Sequence, residues 1–276
     1  MYDNKLPKAN SIDMLRDDFL SDIRDRICSG KLQVKEKNIH EKFIEVFDHY
    51  VDINSGFTLK GLDKFFHKEI IMGCHHYLDS LMIKHGRNNL QVLEHDYTYY
   101  SRLDPNRVWS KPGSLIPNLP LTIATPFPGY LGIHPEYHNI IDEATEKNID
   151  VHLDGAWLSC STKLEIDLTP ECIKSVGISL SKGYGASWNR IGIRYTKDQD
   201  LTDPITIFNR GKMVHRPALE AGILLLENIP ADYMWNTYGN RFNQVVEQFD
   251  LIPGNIIFAA YGKDRIIYSL SHLLLS

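Results

Sequence analysis

The sequence predicts an α/β fold in which helices cover both faces of a mostly parallel sheet, followed by a reduced C-terminal α+β domain. Two observations lead to this prediction. Short runs rich in β-branched residues alternate with helical patterns through the middle of the chain, and the pattern changes after about residue 200. The runs are EIIMG (69–73), LQVLE (90–94), LTIAT (121–125), IDVHLD (149–154), SVGISLS (175–181) and RIGIRY (190–195).

Apolar residues at helical spacing predict the helices. The predicted helices cover 12–28, 39–51, 135–148, 217–228 and 231–249, with Pro135 in the first turn of the third. Two apolar runs near the end, IIFAAYG and RIIYSLS, indicate a small strand-bearing module. We therefore expect an N-terminal helical segment over 1–60, a large domain over 61–200, and a helical connection with a reduced small domain over 201–276.

Composition limits the classes of function. The 276 residues are 43% hydrophobic and 24% charged, which is ordinary for a globular protein, and the net charge of -5 argues against nucleic acid or an anionic membrane as a partner. No stretch of about 18 apolar residues predicts a membrane span, and we expect no signal peptide. Four scattered cysteines without a CxxC pair favour reduced thiols and a cytoplasmic location.

The stretch SLSKGYGASWNR (179–190) places a lysine, Lys182, just after a predicted strand. In a mostly parallel sheet the ligand crevice lies at the carboxyl ends of the strands. Asp154 ends the preceding strand, tyrosines of VLEHDYTYY follow another, and IIMGCHHYLDSL reads as strand, glycine and helix start, which can bind phosphate. An amine, a carboxylate, an aromatic ring, a phosphate site and Arg190 are the groups that pyridoxal phosphate requires.

The segments SLSK, GYG and NRIG resemble the S-x-S-K, glycine and R-x-G pattern of the fold-type I pyridoxal-phosphate enzymes, the aspartate aminotransferase superfamily. The resemblance covers about residues 65–195 and implies that family's large-domain fold and a pyridoxal 5'-phosphate cofactor. It implies that Lys182 forms the internal aldimine, a Schiff base, and later moves the substrate's proton. It also implies that Ser179, Ser181 and Arg190 bind the phosphate.

Other segments extend the resemblance. HLDGAW is similar to the strand end whose aspartate, here Asp154, pairs with the pyridinium nitrogen, and EHDYTYY is similar to the turn whose tyrosine, here Tyr97, stacks on the cofactor ring. The phosphate-binding helix start of the family corresponds to the segment Gly73, Cys74 and His75. DRIIYSLS resembles the strand whose arginine, here Arg265, binds a substrate α-carboxylate.

The sequence departs from the family pattern in three ways. Phe127 stands where an asparagine usually donates to the cofactor's phenolic oxygen, and Trp157 stands where a tyrosine is common. The Trp157 indole N–H can donate a hydrogen bond and is a candidate cofactor contact. The small domain is also short.

The resemblance implies an aminotransferase acting on an amino acid or another small amine. Two alternatives remain open. One is a lyase or aldolase of the threonine-aldolase type, which HLDGAW and LSKGYGA also resemble although Trp157 replaces that branch's arginine. The other is a non-catalytic protein that binds pyridoxal phosphate. We expect no metal site, because neither the pair His75 and His76 nor the pair His134 and His138 has further ligands at a suitable spacing.

We expect a homodimer with shared active sites, because a short small domain is insufficient to cover a pocket for cofactor and substrate. Fold-type I relatives complete each site with a loop from the partner. The basic stretch FNRGKMVHRP (208–217), with Arg210 and Arg216, is the candidate for reaching the partner's phosphate site.

Overall fold

The computed structural model describes residues 15, 17–100 and 108–275. Its strands are β1 (Phe57–Lys60), β2 (His67–Ile71), β3 (Gln91–Leu93), β4 (Val108–Ser110), β5 (Leu121–Ala124), β6 (Val151–Gly155), β7 (Leu164–Asp167), β8 (Ile173–Ser179), β9 (Gly192–Thr196), β10 (Ile252–Pro253), β11 (Ala259–Tyr261) and β12 (Ile267–Ser269). Its helices of four or more residues are α1 (Asp18–Cys28), α2 (Ile39–Ile53), α3 (Gly73–His85), α4 (Tyr137–Glu146), α5 (Pro204–Arg210), α6 (Arg216–Asn228), α7 (Tyr233–Gln248) and α8 (Ser271–Leu274).

Seven strands form the central sheet in the order β2-β9-β8-β6-β5-β3-β4. Strand β9 is antiparallel to both of its neighbours, and the other pairs are parallel. The predicted α/β class with a mostly parallel sheet is therefore confirmed. All six predicted strands belong to this sheet, whereas β4 and the separate parallel pair of β1 and β7 were not predicted.

Helices cover both faces of the sheet because the strand side chains alternate between two hydrophobic cores. Ile70 and Leu93 belong to the larger core, while Ile71 and Val92 belong to the smaller one, which also contains Tyr77 of α3. Successive strand residues point to opposite faces, so a sheet buried on both sides is apolar at successive positions. This explains why the strands appear in the sequence as short continuous apolar runs.

The N-terminal helix is shorter than predicted. The spacing predicted a helix over 12–28, of which residues 12–14 and 16 lie outside the described residues. Helix α1 begins at Asp18, because Asp17 caps it. The backbone of Asp17 is extended, and its side chain accepts a hydrogen bond from the N–H of Leu20 at 2.7 Å. Such a cap ends the helix on its N-terminal side, so Leu15 precedes it.

The C-terminal strands form a separate antiparallel sheet in the order β10-β11-β12. Residues between β10 and β11 bond to the segment that follows Asp154: the N–H of Thr162 donates to the carbonyl of Asn255 at 2.9 Å, and the N–H of Ile257 donates to that of Cys160 at 3.3 Å. The larger core includes side chains from each predicted domain, and the divisions at residues 60 and 200 stay predictions. Across residues 17–100 and 108–275, no helix combines the length and apolar character needed to cross a membrane.

Candidate active site

The carboxyl ends of the parallel strands bring most of the predicted site residues to one cleft. Nine of them line it: Cys74, His75, Tyr97, Asp154, Trp157, Ser179, Ser181, Lys182 and Arg190. Ala124, Pro128 and Ala156, which were not predicted, line it as well. The register of the sheet explains the convergence, because Ala124 at the end of β5 pairs with Asp154 at the end of β6, which pairs with Gly177 on β8.

Lys182 lies in a tight turn after β8. A Cβ atom at Gly183 would lie 1.8 Å from the carbonyl oxygen of Ser159, so only glycine allows the backbone to pass this close. The Nζ of Lys182 lies 4.5 Å from the centre of the Trp157 ring, within the range of a cation–π contact. Burial lowers the pKa of Lys182, and the positive charge of Arg190 lowers it further. A depressed pKa increases the fraction of neutral, nucleophilic amine.

Asp154 is buried at the base of the cleft, with 3% of its surface exposed. Its carboxylate accepts a hydrogen bond from the N–H of Ala156 at 3.0 Å. Burial raises the pKa of Asp154 to about 6, while that hydrogen bond, the Cys74 thiol and the charge of Lys182 oppose the rise. A carboxylate desolvated in this way binds a ring N–H⁺ strongly.

Helix α3 and Arg190 form one end of the cleft. The backbone N–H groups in the first turn of a helix have no partners within the helix, and α3 begins at Gly73. Gly73 has a positive φ of 72°, and a Cβ there would lie 3.1 Å from Nη2 of Arg190, so glycine allows the guanidinium to lie against the helix start. No carboxylate among residues 15, 17–100 and 108–275 forms an ion pair with Arg190, and the buried Oγ of Ser181 has no hydrogen-bond partner there.

His75 connects the arginine to the aromatic side of the cleft. Nη2 of Arg190 donates to Nδ1 of His75 at 3.2 Å, which places the imidazole proton on Nε2, 3.0 Å from the hydroxyl of Tyr97. The rings of His75 and Tyr99 stack with centres 4.0 Å apart. Tyr97 therefore lines the cleft, held by a histidine whose orientation is fixed on both ring nitrogens.

Asp96 is a buried carboxyl that the sequence analysis did not single out. Its two oxygens accept hydrogen bonds from the N–H of Tyr97 at 2.6 Å and from the N–H of Ala124 at 3.2 Å, so it ties the Tyr97 turn to the end of β5. Burial raises the pKa of Asp96 to about 8, and the charge of Asp154 raises it further. The only sequence signal was a carboxylate between a strand end and a tyrosine, which is equally typical of an exposed turn.

Arg265 lies away from the cleft, and Phe127 provides no hydrogen-bond donor to it. Arg265 is exposed, in the turn between β11 and β12 and not on a strand, with a positive φ of 64°, and it does not line the cleft. Phe127 is fully buried and packs edge-on against His134, with ring centres 4.8 Å apart, so this side chain provides no donor to the cleft.

Several solved structures with the same architecture are aminotransferases. The chain superimposes on 90% of its length with alanine aminotransferase from Pyrococcus furiosus, with TM-score 0.62, 16% identity and 73% of that chain covered. Aspartate aminotransferase from Thermotoga maritima matches 94% of this chain and 78% of its own, with TM-score 0.65 and 13% identity. Tyrosine aminotransferase from Leishmania infantum matches 95% of this chain and 89% of its own, with TM-score 0.63 and 10% identity.

The chain has the aminotransferase fold. The fold resemblance inferred from SLSK, GYG and NRIG is thereby confirmed, although no protein-family model and no curated protein matches the sequence. At identities of 10 to 16% these similarities establish the fold alone.

The donor set in this aminotransferase fold fits pyridoxal phosphate. Three groups suit a phosphate: the unpartnered hydroxyl of Ser181, the guanidinium of Arg190, and the N–H groups at the start of α3. The carboxylate of Asp154 suits a protonated ring nitrogen. Lys182 lines the same cleft as an amine of lowered pKa. The part of the chain that the structure describes contains no group of three or more histidine, cysteine, aspartate or glutamate side chains arranged to hold a metal ion.

Proposed function

We propose that this chain is a pyridoxal-phosphate-dependent aminotransferase that acts on an amino acid or another small amine. The observation that carries the proposal is the convergence of Lys182, Asp154 and Arg190 on one cleft of an aminotransferase fold. Lys182 would hold the cofactor covalently through its amine, and Asp154 would bind the ring nitrogen. Ser179, Ser181, Arg190 and the start of α3 would bind the phosphate.

The remaining residues would orient the ring and move protons. Tyr97 lines the cleft with its hydroxyl held by His75, which suits stacking on a flat ring. When bound, pyridoxal phosphate supplies a conjugated ring that withdraws electrons from the substrate's α-carbon. The Nζ of Lys182, with a lowered pKa, is the base that would remove the proton from that carbon and deliver it to the cofactor's C4′ carbon. Arg265, in its exposed turn, is the proposed partner of a substrate carboxylate. Its side chain would have to extend from that turn to the substrate.

Covalent trapping tests the cofactor assignment. Purified protein incubated with pyridoxal phosphate and then reduced with borohydride should carry the cofactor on Lys182, as located by peptide mass mapping. Lys111→Ala is the matched control, because Lys111 also follows a strand but is 65% exposed and pairs with Glu94. This variant should be labelled like the unmodified protein. An adduct on another lysine, or none, would remove the basis of the proposal.

An amino-acid panel tests the reaction. Release of a keto acid, with the cofactor left in its amine form, supports aminotransfer. Cleavage of a carbon–carbon bond would indicate the aldolase alternative. Binding of the cofactor without any reaction across the panel would indicate a non-catalytic protein.

We also propose a homodimer that completes each site, supported by the surface around α5. The stretch 208–217 forms the end of α5, a turn and the start of α6, and Arg210 is exposed on it. Apolar side chains are exposed in the same region, at Ile207 (46%), Phe208 (43%) and Met213 (58%). Exposed apolar groups this close together are typical of an interface.

Mixed subunits test the shared site. Lys182→Ala subunits combined with Arg210→Ala subunits should recover part of the lost activity if Arg210 reaches the partner's phosphate site, because one site in the mixed dimer is then intact. Arg216→Ala is the comparison, since Arg216 already bonds to Glu220 of its own chain at 2.8 Å. A monomer that holds pyridoxal phosphate tightly would contradict the proposal.

A further inference from the structure

A second cavity lies at the opposite end of α3 from the Lys182 cleft, near the amino ends of β6 and β8. It has a volume of about 340 Å³ and is here called the amino-edge cavity. Its walls come from the end of α3, the starts of β6 and β8, and the end of β9 with the turn that follows. Residues on these walls include Lys84, His85, His152, Ser175, Thr196 and Asp198. No residue of this cavity lines the cleft.

Polar groups without hydrogen-bond partners are concentrated on these walls. Among residues 15, 17–100 and 108–275, Nε2 of His85, Nε2 of His152 and Oγ1 of Thr196 are buried and unpartnered. His152 and Thr196 are only 6% and 8% exposed. A buried polar group without a partner destabilises the fold, so three at one cavity favour a polar occupant.

The proton of His152 lies on the unpartnered nitrogen. The hydroxyl of Tyr77 lies 2.6 Å from Oγ of Ser175, which lies 2.7 Å from Nδ1 of His152. A phenol is a better donor than an alcohol, and the buried Tyr77 hydroxyl lies beside Ser175, so we assign the protons in the order Tyr77 to Ser175 to Nδ1 of His152. The Nε2–H of His152 therefore remains to donate to an occupant. Burial lowers the pKa of His152 well below its ordinary value, which keeps the ring neutral.

The charged residues of the walls leave one carboxylate without a cation. Lys84 pairs with Asp200 at 3.2 Å, Lys174 pairs with Asp150 at 3.9 Å, and Arg194 pairs with Asp203 at 2.8 Å. Asp198 has no ion-pair partner in the described part of the chain. The groups without a partner are thus donors at His152 and Thr196, the Nε2 of His85, and one exposed carboxylate at Asp198. Their complement is a molecule with both an oxyanion and an ammonium group.

We propose that the amino-edge cavity binds a free α-amino acid as a zwitterion, with the carboxylate accepting from His152 and Thr196 and the ammonium group facing Asp198. A metal ion is disfavoured, because no three ligating side chains of the described residues meet there. A simple anion leaves Asp198 uncompensated, and a simple amine leaves the two donors unpaired. This site is separate from the cofactor cleft, so it does not depend on the proposed reaction.

Histidine side-chain NMR on the cofactor-free protein tests the proposal. The probes are L-alanine, acetate and methylamine, each titrated while the ring nitrogens of His85 and His152 are observed; His85→Gln assigns the His85 signals. L-Alanine should shift both histidines saturably, and acetate and methylamine should bind several-fold more weakly. These nuclei report on the amino-edge cavity even if the probes also enter the Lys182 cleft.

Two substitutions make the test specific. Thr196→Val is expected to weaken L-alanine binding about tenfold, since a hydrogen bond to a charged group is lost. It should not lower the unfolding temperature, because the hydroxyl has no partner in the free protein. Asp198→Asn should weaken L-alanine up to about fivefold without weakening acetate, and Asp142→Asn, an exposed aspartate on α4, is the control expected to change neither.

The proposal is overturned if the histidine signals do not respond saturably to L-alanine, or if Thr196→Val binds it as well as the unmodified protein. It is also overturned if acetate binds as tightly as L-alanine, because the site then recognises only an anion.

Discussion

The cleft around Lys182 and the hairpin that carries Arg265 differ in how firmly they hold their charged groups. Asp154 and Ser179 lie at the ends of central strands and are 3% and 1% exposed, so the sheet fixes their positions. Arg265 is exposed in a turn between two short strands. Rigid, buried groups are preorganised for binding, whereas an exposed side chain must be ordered when the ligand binds. We therefore expect substitutions in the cleft to cost far more than substitution of the hairpin arginine.

Lys182→Ala should have the largest effect. The variant loses the covalent attachment of the cofactor and the amine that moves the proton, so turnover should fall by roughly 10³-fold or more, while circular dichroism stays unchanged. Steady-state rates with added methylamine provide the sharper measurement, because a small amine that enters the vacated space should restore part of the activity. Activity near that of the unmodified protein would contradict the catalytic role of this lysine.

Asp154→Asn should have the next largest effect. An amide cannot hold a positive charge on the ring nitrogen, so turnover should fall about 10²-fold while the cofactor remains bound. Absorbance titration and initial rates measure the two effects separately. Asp167→Asn is the control, since Asp167 also ends a strand but is partly exposed and pairs with Lys60 at 3.3 Å. Normal turnover in Asp154→Asn would mean that the cleft does not use a protonated ring.

Asp96→Asn tests whether the Tyr97 turn needs its buried carboxyl. An amide oxygen can replace one of the two acceptors but the amide NH₂ cannot accept the other N–H, so we expect cofactor affinity to fall about tenfold. Cofactor binding by fluorescence measures this loss. Equal affinity in the variant and the unmodified protein would show that the Tyr97 turn is held by other contacts.

The same variant gives a pH test. The unfolded chain releases the Asp96 proton near the ordinary pKa of 3.8, whereas the folded protein holds it up to about 8, because burial and the neighbouring Asp154 disfavour the charged form. Between these values the folded state binds more protons, so the free energy of unfolding falls as the pH rises. Urea denaturation at pH 5 and pH 8 should show a smaller fall in Asp96→Asn. Identical falls would contradict the raised pKa.

The contrast between cleft and hairpin also explains how much could be predicted from the sequence. Buried strands are recognisable as β-branched runs, and residues such as Asp154 that end those strands necessarily meet at one edge of a parallel sheet. The position of Arg265 depended instead on where a hairpin turns. The Gly262–Lys263–Asp264 segment is a turn signal, and the structure places Arg265 directly after it, before the strand begins.

Asp96 was missed for a different reason. Its role depends on accepting from the N–H of Ala124, a residue 28 positions later in the chain. Local sequence patterns do not contain a contact of this range. The same limit applies to the amino-edge cavity, where His85, His152 and Thr196 come from three separate elements.

Arg265→Ala should have the smallest effect. Exposed charge pairs contribute about 0 to 1 kcal/mol, so KM for an amino-acid substrate should rise by no more than about fivefold, with kcat little changed. Lys263→Ala is the matched control, because Lys263 lies in the same turn, is 72% exposed and pairs with Asp250. Steady-state kinetics of both variants separate a carboxylate contact from a general loss of positive charge. A rise above about 100-fold in Arg265→Ala alone would mean that the hairpin closes over the cleft and desolvates the arginine, since only a buried, bidentate contact with the substrate has that magnitude.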